Sequence, residues 1–175
     1  MSDFSPEDSL QTKSIQRLAS SLGAITAMVE SIPEASSDWA AESDQWCLRE
    51  VLGHLIDGDR EIFRARLELF FSGSLEEWPA LDPEEWVIER KYSERPLREL
   101  LRLFQDERQR SLAWLASLED PDWFMERALP DGSLKAGDLL LAWCTHDVLH
   151  LEQIARWCTA KALHDHDPFR DDFAF

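Results

Sequence analysis

Apolar residues recur along the chain at the three- and four-residue steps of amphipathic helices, and they fall into separate stripes. Leu18, Leu22, Ile25, Val29 and Ile32 form the first stripe, which predicts a helix from about Ser9 to Ile32 that Pro33 ends. Leu48, Val51, Leu52, Leu55, Ile62, Leu69 and Phe70 form the second, a helix from near Cys47 to about Phe71 closed by Ser72-Gly73-Ser74. Cys47 stands at the capping position, with Glu50 placed as in a capping box. Leu97, Leu100, Leu101, Phe104, Leu112, Leu115 and Leu118 mark the third helix, and a fourth runs from about Ala136 to Leu163. No stretch sustains the alternation of a half-buried strand, so no sheet is expected.

The segments between the stripes are long. Leu75 to Arg95 is broken by prolines and carries Trp78, Trp86 and Tyr92 as anchors; a connection of that length crosses a bundle or covers a site. A second loop, Asp120 to Lys135, has turn signals at Pro121, Pro130 and Asp131-Gly132. The polar tail from His164 offers Phe169, Phe173 and Phe175 for docking. The pattern predicts an all-α, antiparallel four-helix bundle with long crossover connections, one domain over residues 1–175.

Composition narrows the functional classes. With 44% hydrophobic and 30% charged residues, the chain reads as globular, and 175 residues can bury a core without disulfides. A formal net charge of −17 argues against nucleic-acid binding and against an anionic membrane surface, both of which need a cationic face. Met1 to Asp8 lacks the basic and apolar regions of a signal peptide. Cys47, Cys144 and Cys158, odd in number and without a C-x-x-C, suit a reducing compartment, so a cytoplasmic location is expected. The eight tryptophans are expected mostly as core or loop anchors.

The candidate chemistry lies in the histidines. His146 and His150 are four apart on the fourth helix, which puts both on one face with Cβ atoms about 6 Å apart. Two imidazoles so placed can reach one metal ion. His54 sits near the apolar stripe of the second helix, where a core-facing imidazole needs a partner for each ring nitrogen. An ion shared by His54, His146 and His150 meets that need for all three; hydrogen bonding within the core is the alternative for each alone. The run His146-Asp147-Val148-Leu149-His150 also has the outline of a zinc-protease helix, with Asp147 in place of the basic glutamate. That architecture includes a sheet, which is not expected here. His164 and His166 fit a solvated helix end.

Four stretches in order resemble the DinB/YfiT-like family of metal-dependent enzymes. They are Trp46-Cys47-Leu48-Arg49-Glu50-Val51-Leu52-Gly53-His54-Leu55-Ile56-Asp57, Leu81-Asp82-Pro83-Glu84-Glu85-Trp86 with Tyr92, Phe104-Gln105-Asp106-Glu107-Arg108, and His146 to Ile154. The resemblance covers about Leu18 to Trp157 and implies a four-helix bundle, a homodimer, and a divalent metal on His54, His146 and His150. Cys47 departs from the usual serine, which affects only the helix cap.

Three neutral imidazoles leave an open position on the ion, the arrangement of a catalytic rather than a structural site. Zinc or nickel suits such ligands. The resemblance makes a transferase that activates a low-molecular-weight thiol plausible, and this is the first expectation because a thiol needs no well-placed general base and no carboxylate here is an unambiguous one. A hydrolase using water is one alternative and a non-enzymatic metal-binding bundle another; a small-molecule substrate is expected for either enzyme. Asp57, one turn after His54, and Glu61, nearly two turns after it, are candidates for a base or for a partner of a ligand, or are surface carboxylates. Gln153 follows His150 and is a candidate to position a ligand. Arg108 is expected either to bind an anionic group or to pair with a glutamate at the bundle end.

Overall fold

A computed structural model describes residues 9–74, 78, 81–129 and 132–172. Helix α1 (Leu10–Glu30) starts where Ser9 accepts a hydrogen bond from the Thr12 backbone N–H. Helix α2 (Leu48–Asp57) begins after Cys47, whose N–H donates to the Glu50 carboxylate at 2.8 Å, the glutamate half of a capping box. The helix does not remain uniform to Phe71. It widens into a π-helical stretch over Gly58–Arg64 and returns to α geometry in α3 (Ala65–Phe71). Helix α5 (Leu97–Ser117) and helix α6 (Ala136–Asp165) follow within two residues of the expected bounds.

Helix α1 packs against α5 and α6, and the α2–α3 helix packs against the same two. Helix α1 and the α2–α3 helix therefore lie across the bundle from one another, as do α5 and α6, and a diagonal crossing cannot be closed by a short turn; the α2–α3 helix and α5 are neighbours. The connection before α5 folds on its own account, with helix α4 (Pro83–Glu89) and a 3₁₀ turn at Tyr92–Glu94. Pro83 at the first turn of α4, which breaks the third stripe from the second, here starts a helix. The expected turn residues Pro79, Pro130 and Asp131, and the docking residues Phe173 and Phe175, lie outside the described residues. Phe169 is exposed.

One expectation fails outright. Strands β1 (Glu126–Leu129) and β2 (Gly132–Lys135) form an antiparallel pair ahead of α6. Each has four residues, largely exposed, so neither buries a face that would impose alternation on the sequence.

The core has two apolar clusters separated along the bundle. One contains Ile25, Leu52, Leu55, Leu101, Phe104 and Ile154; the other contains Leu18, Phe63, Leu67, Leu115, Leu140 and Trp143. On every long helix the residues between the two are polar and buried: Ser21 on α1, Asp57 and Asp59 where α2 meets the π stretch, Glu107, Arg108 and Ser111 on α5, Asp147 on α6. The bundle thus carries a polar layer across its middle.

Tyr92 pins the α4 connection to α2. Its ring lies directly over Gly53, where an added Cβ would meet the ring carbons at 2.1 Å, and its hydroxyl donates to Asp57 Oδ1 at 2.8 Å. We expect Gly53→Ala to destabilise the protein by about 1–3 kcal/mol through displacement of this ring. Chemical denaturation measures the cost, and a midpoint equal to wild type would contradict the packing described.

Candidate metal centre

His54 projects from the last turn and a half of α2, and His146 and His150 from consecutive turns of α6. Their Nε2 atoms converge. His146 Nε2 is 3.0 Å from His54 Nε2 and 3.1 Å from His150 Nε2, and one ligand atom from each residue lies within 4.8 Å of the others. His146 thus has two imidazole nitrogens directed at one ring nitrogen. A neutral ring nitrogen either donates one proton or accepts through one in-plane lone pair, so hydrogen bonding serves only one of these contacts well. A cation among the three serves all of them.

Burial sets the protonation state. Desolvation, reinforced by His150, pushes His54 down to about 4; desolvation, with His150 and then His54, pushes His146 down to about 3. His150 is also lowered by burial, against the opposing effect of Gln153. All three are neutral near pH 7, the form that ligates metal. Gln153 Oε1 lies 2.7 Å from His150 Nδ1, so a proton on Nδ1 leaves Nε2 free to face the centre.

The surroundings are aromatic. Trp46, just before α2, lies 5.0 Å from the His54 ring, and Phe63 on the π stretch packs edge-on to His146. Gly58 lets His146 approach; a Cβ there would stand 3.3 Å from its Cε1. A cleft of about 690 Å³ opens beside the cluster, walled by Trp46 and Gln153 together with Val51, Ile154, Trp157 and, from α4, Glu84. Glu84 thus places one residue of the connection before α5 on the wall of this cleft.

Asp57 does not lie free. Its Oδ1 accepts from Tyr92 and pairs with Arg90, while burial still pushes its carboxyl above the usual range. Glu61 is half-exposed and lies 3.6 Å from the same Arg90. Asp147 is turned away from the histidines into the polar layer, where Arg108 holds it, so its carboxylate is not placed as the base of a zinc-protease helix. His164 packs on Trp39 and His166 contacts the Ala162 carbonyl at the end of α6.

Arg108 departs from both sequence expectations. It is fully buried and donates to Asp59 at 2.7 Å through both Nε and Nη2, to Asp147 at 2.5 and 2.8 Å, and to the Leu18 carbonyl at 3.2 Å. Glu107, its neighbour on α5, is instead paired by Arg60 and Arg64 of the π stretch. Trp143 completes the group by donating to Asp59 Oδ1 at 2.9 Å, and Phe63 stacks on its ring. Sequence reasoning missed Trp46, Gly58, Asp59 and Phe63 as site residues. Trp46 opens the first of the stretches that carry the family resemblance, a signal that could have found it; the other three had only proximity to His54, common to every neighbour on the helix.

The DinB superfamily model matches residues 17–154. The chain belongs to the DinB superfamily. Among solved structures it is similar to YfiT from Bacillus subtilis, described as a probable metal-dependent hydrolase with an unusual four-helix bundle topology; the TM-score is 0.76 at 20% identity, covering 93% of this chain and 92% of that one. At that identity the likeness establishes the shared DinB fold. No curated protein matches the sequence significantly. Among the described residues, no helix is long and apolar enough to cross a membrane.

Removing Arg108 leaves two buried carboxylates facing each other without a counter-charge. We expect Arg108→Met to cost about 3–5 kcal/mol. A loss below about 1 kcal/mol in urea denaturation would mean that the pairing holds little of the fold together.

Proposed function

We propose that the chain is a metal-dependent hydrolase acting on a small molecule, with one divalent ion held by His54, His146 and His150. The convergence of the three Nε2 atoms carries this reading. Their spacing of 3.0 and 3.1 Å about His146 is close to the separation of about 3.3 Å between imidazole nitrogens each about 2.0–2.1 Å from a tetrahedral ion. The description of YfiT as a probable metal-dependent hydrolase supports the same choice. Zinc and nickel both suit the ligand set. Such an ion supplies a Lewis acid that polarises a carbonyl and lowers the pKa of a bound water or thiol.

The chain's residues do the rest. Three neutral imidazoles hold the ion without cancelling its charge. Gln153 fixes the tautomer of His150, and Trp46 and Phe63 shield the cluster so that its electrostatics act in a low dielectric. The adjoining cleft receives the substrate between Trp46 and Trp157. A second reading, transfer of a low-molecular-weight thiol, is favoured by one observation. Asp57, the foremost carboxylate candidate for a base, is already engaged by Arg90 and Tyr92, and a thiol nucleophile needs no such base. Three free cysteines, two of them buried, support a cytoplasmic location for either reading.

The test is elemental analysis of tag-free protein, followed by assay on simple esters and amides. We expect about one equivalent of metal in wild type, near none in His150→Ala, and hydrolysis only by the loaded wild type. Absent hydrolysis, together with a sulfur-to-cobalt charge-transfer band on adding a biological thiol, would replace the hydrolase with the transferase. Full occupancy in His150→Ala would sink both.

We also infer a homodimer formed through α6, whose outward side exposes Leu141, Val148 and Leu149 at 55%, 57% and 63%. Light scattering should give twice the chain mass; a value near 20.3 kDa across a wide concentration range would refute it.

A further inference from the structure

We propose that Asp57 is the positioning residue for the metal ligand His54, its Oδ2 receiving the His54 Nδ1–H directly after a small side-chain adjustment or through one water. The proposal rests on the metal site inferred above.

Two polar atoms at this end of α2 are buried and have no hydrogen-bond partner: His54 Nδ1 and Asp57 Oδ2. Both residues are more than nine-tenths buried, at 8% and 1% exposure. They are complementary. With His54 Nε2 turned to the other two histidines, its neutral ring carries the proton on Nδ1 and needs an acceptor. Asp57 has an acceptor oxygen to spare, because Tyr92 and Arg90 both act on Oδ1.

Their positions on the helix suit the pairing. Residues three apart lie on one face, and helical side chains lean toward the N-terminus, so Asp57 covers the turn that contains His54. Tyr92 reaches Asp57 from over Gly53, one turn before Asp57 and next to His54 in the chain. Asp57 is therefore held in place from outside by the α4 connection while its second oxygen remains for the ligand. A metal-bound histidine whose other nitrogen is held by a carboxylate keeps its tautomer and ring orientation, and losing such a partner costs about 10–100-fold in metal affinity.

The experiment is a competition titration with zinc and a chromophoric chelator on wild type, Asp57→Asn and Glu61→Gln. The asparagine keeps one oxygen for Tyr92 and Arg90 but turns a donor toward His54. Glu61→Gln removes the same charge beside the same Arg90. We expect Asp57→Asn to weaken zinc binding about 10–100-fold and Glu61→Gln to change it less than about twofold. On zinc-loaded wild type, nitrogen-15 NMR should show a slowly exchanging His54 Nδ1–H, a signal that a purely structural Asp57 would not produce and that needs no variant to fold. Equal affinity in Asp57→Asn and wild type, or a rapidly exchanging Nδ1–H, would overturn the role of Asp57 while leaving the metal site standing. Failure of wild type to bind zinc would remove the metal site itself, and this inference with it.

Discussion

The buried guanidinium of Arg108 is the interaction on which the middle of this bundle depends. Taking three charged groups out of water is costly, and the cost is recovered only when every donor and acceptor is well placed. Arg108 meets that condition with Asp59 on one side and Asp147 on the other, and spends a further donor on the Leu18 carbonyl. Burial alone would lower its pKa; the two carboxylates more than reverse that and raise it, so it is charged at any accessible pH. One side chain from α5 thereby ties together α1, the π stretch and α6. Replacing such a pair by apolar residues often leaves stability unchanged, whereas removing one partner leaves a buried charge uncompensated, so the layer holds only as a complete set.

The π-helical stretch makes the same point from the other side. Widened turns of this kind are rare and concentrate at functional sites. Here the stretch from Gly58 to Arg64 delivers Asp59 to Arg108, Arg60 and Arg64 to Glu107, and Phe63 to Trp143 and His146. Glu107 is drawn below its ordinary pKa by the two arginines in spite of its burial. The distortion is thus held by ion pairs on two sides.

The four helices were legible because each buries a continuous stripe, and burying a stripe is what forces the three- and four-residue period. The histidine pair of α6 was legible for the same geometric reason. The π stretch was not, since Ile62 and Phe63 keep the helix apolar whichever way the turn is wound. The hairpin was hidden by its lack of a buried face. Arg108 was seen as a candidate but given the wrong partners. Charge pairing across a bundle depends on which helices are neighbours, and in this topology the glutamate nearest in sequence, Glu107, belongs to the π-stretch arginines. Tyr92 was expected as an anchor, but nothing in the sequence told that Gly53 leaves room for its ring.

Ligand geometry gives a reason for the proposed one-ion site to sit against so stiff a layer. Two of the three histidines come from α6 and share a helix, so their relative placement is nearly fixed by the backbone. His54 comes from α2, and the gap between the two helices decides whether its Nε2 meets the others. A working metal site tolerates errors of only about 0.5 Å in such placements. The nearest constraints on that gap are the Asp59–Arg108–Asp147 bridge, which spans from the π stretch to α6 one residue beyond His146, and the contact of Gly58 with His146 itself. Apolar packing is non-directional and fixes volume and pattern before it fixes one arrangement. Directional bonds to two carboxylates fix the arrangement, and they are set beside the one distance that the three-histidine cluster cannot correct for itself.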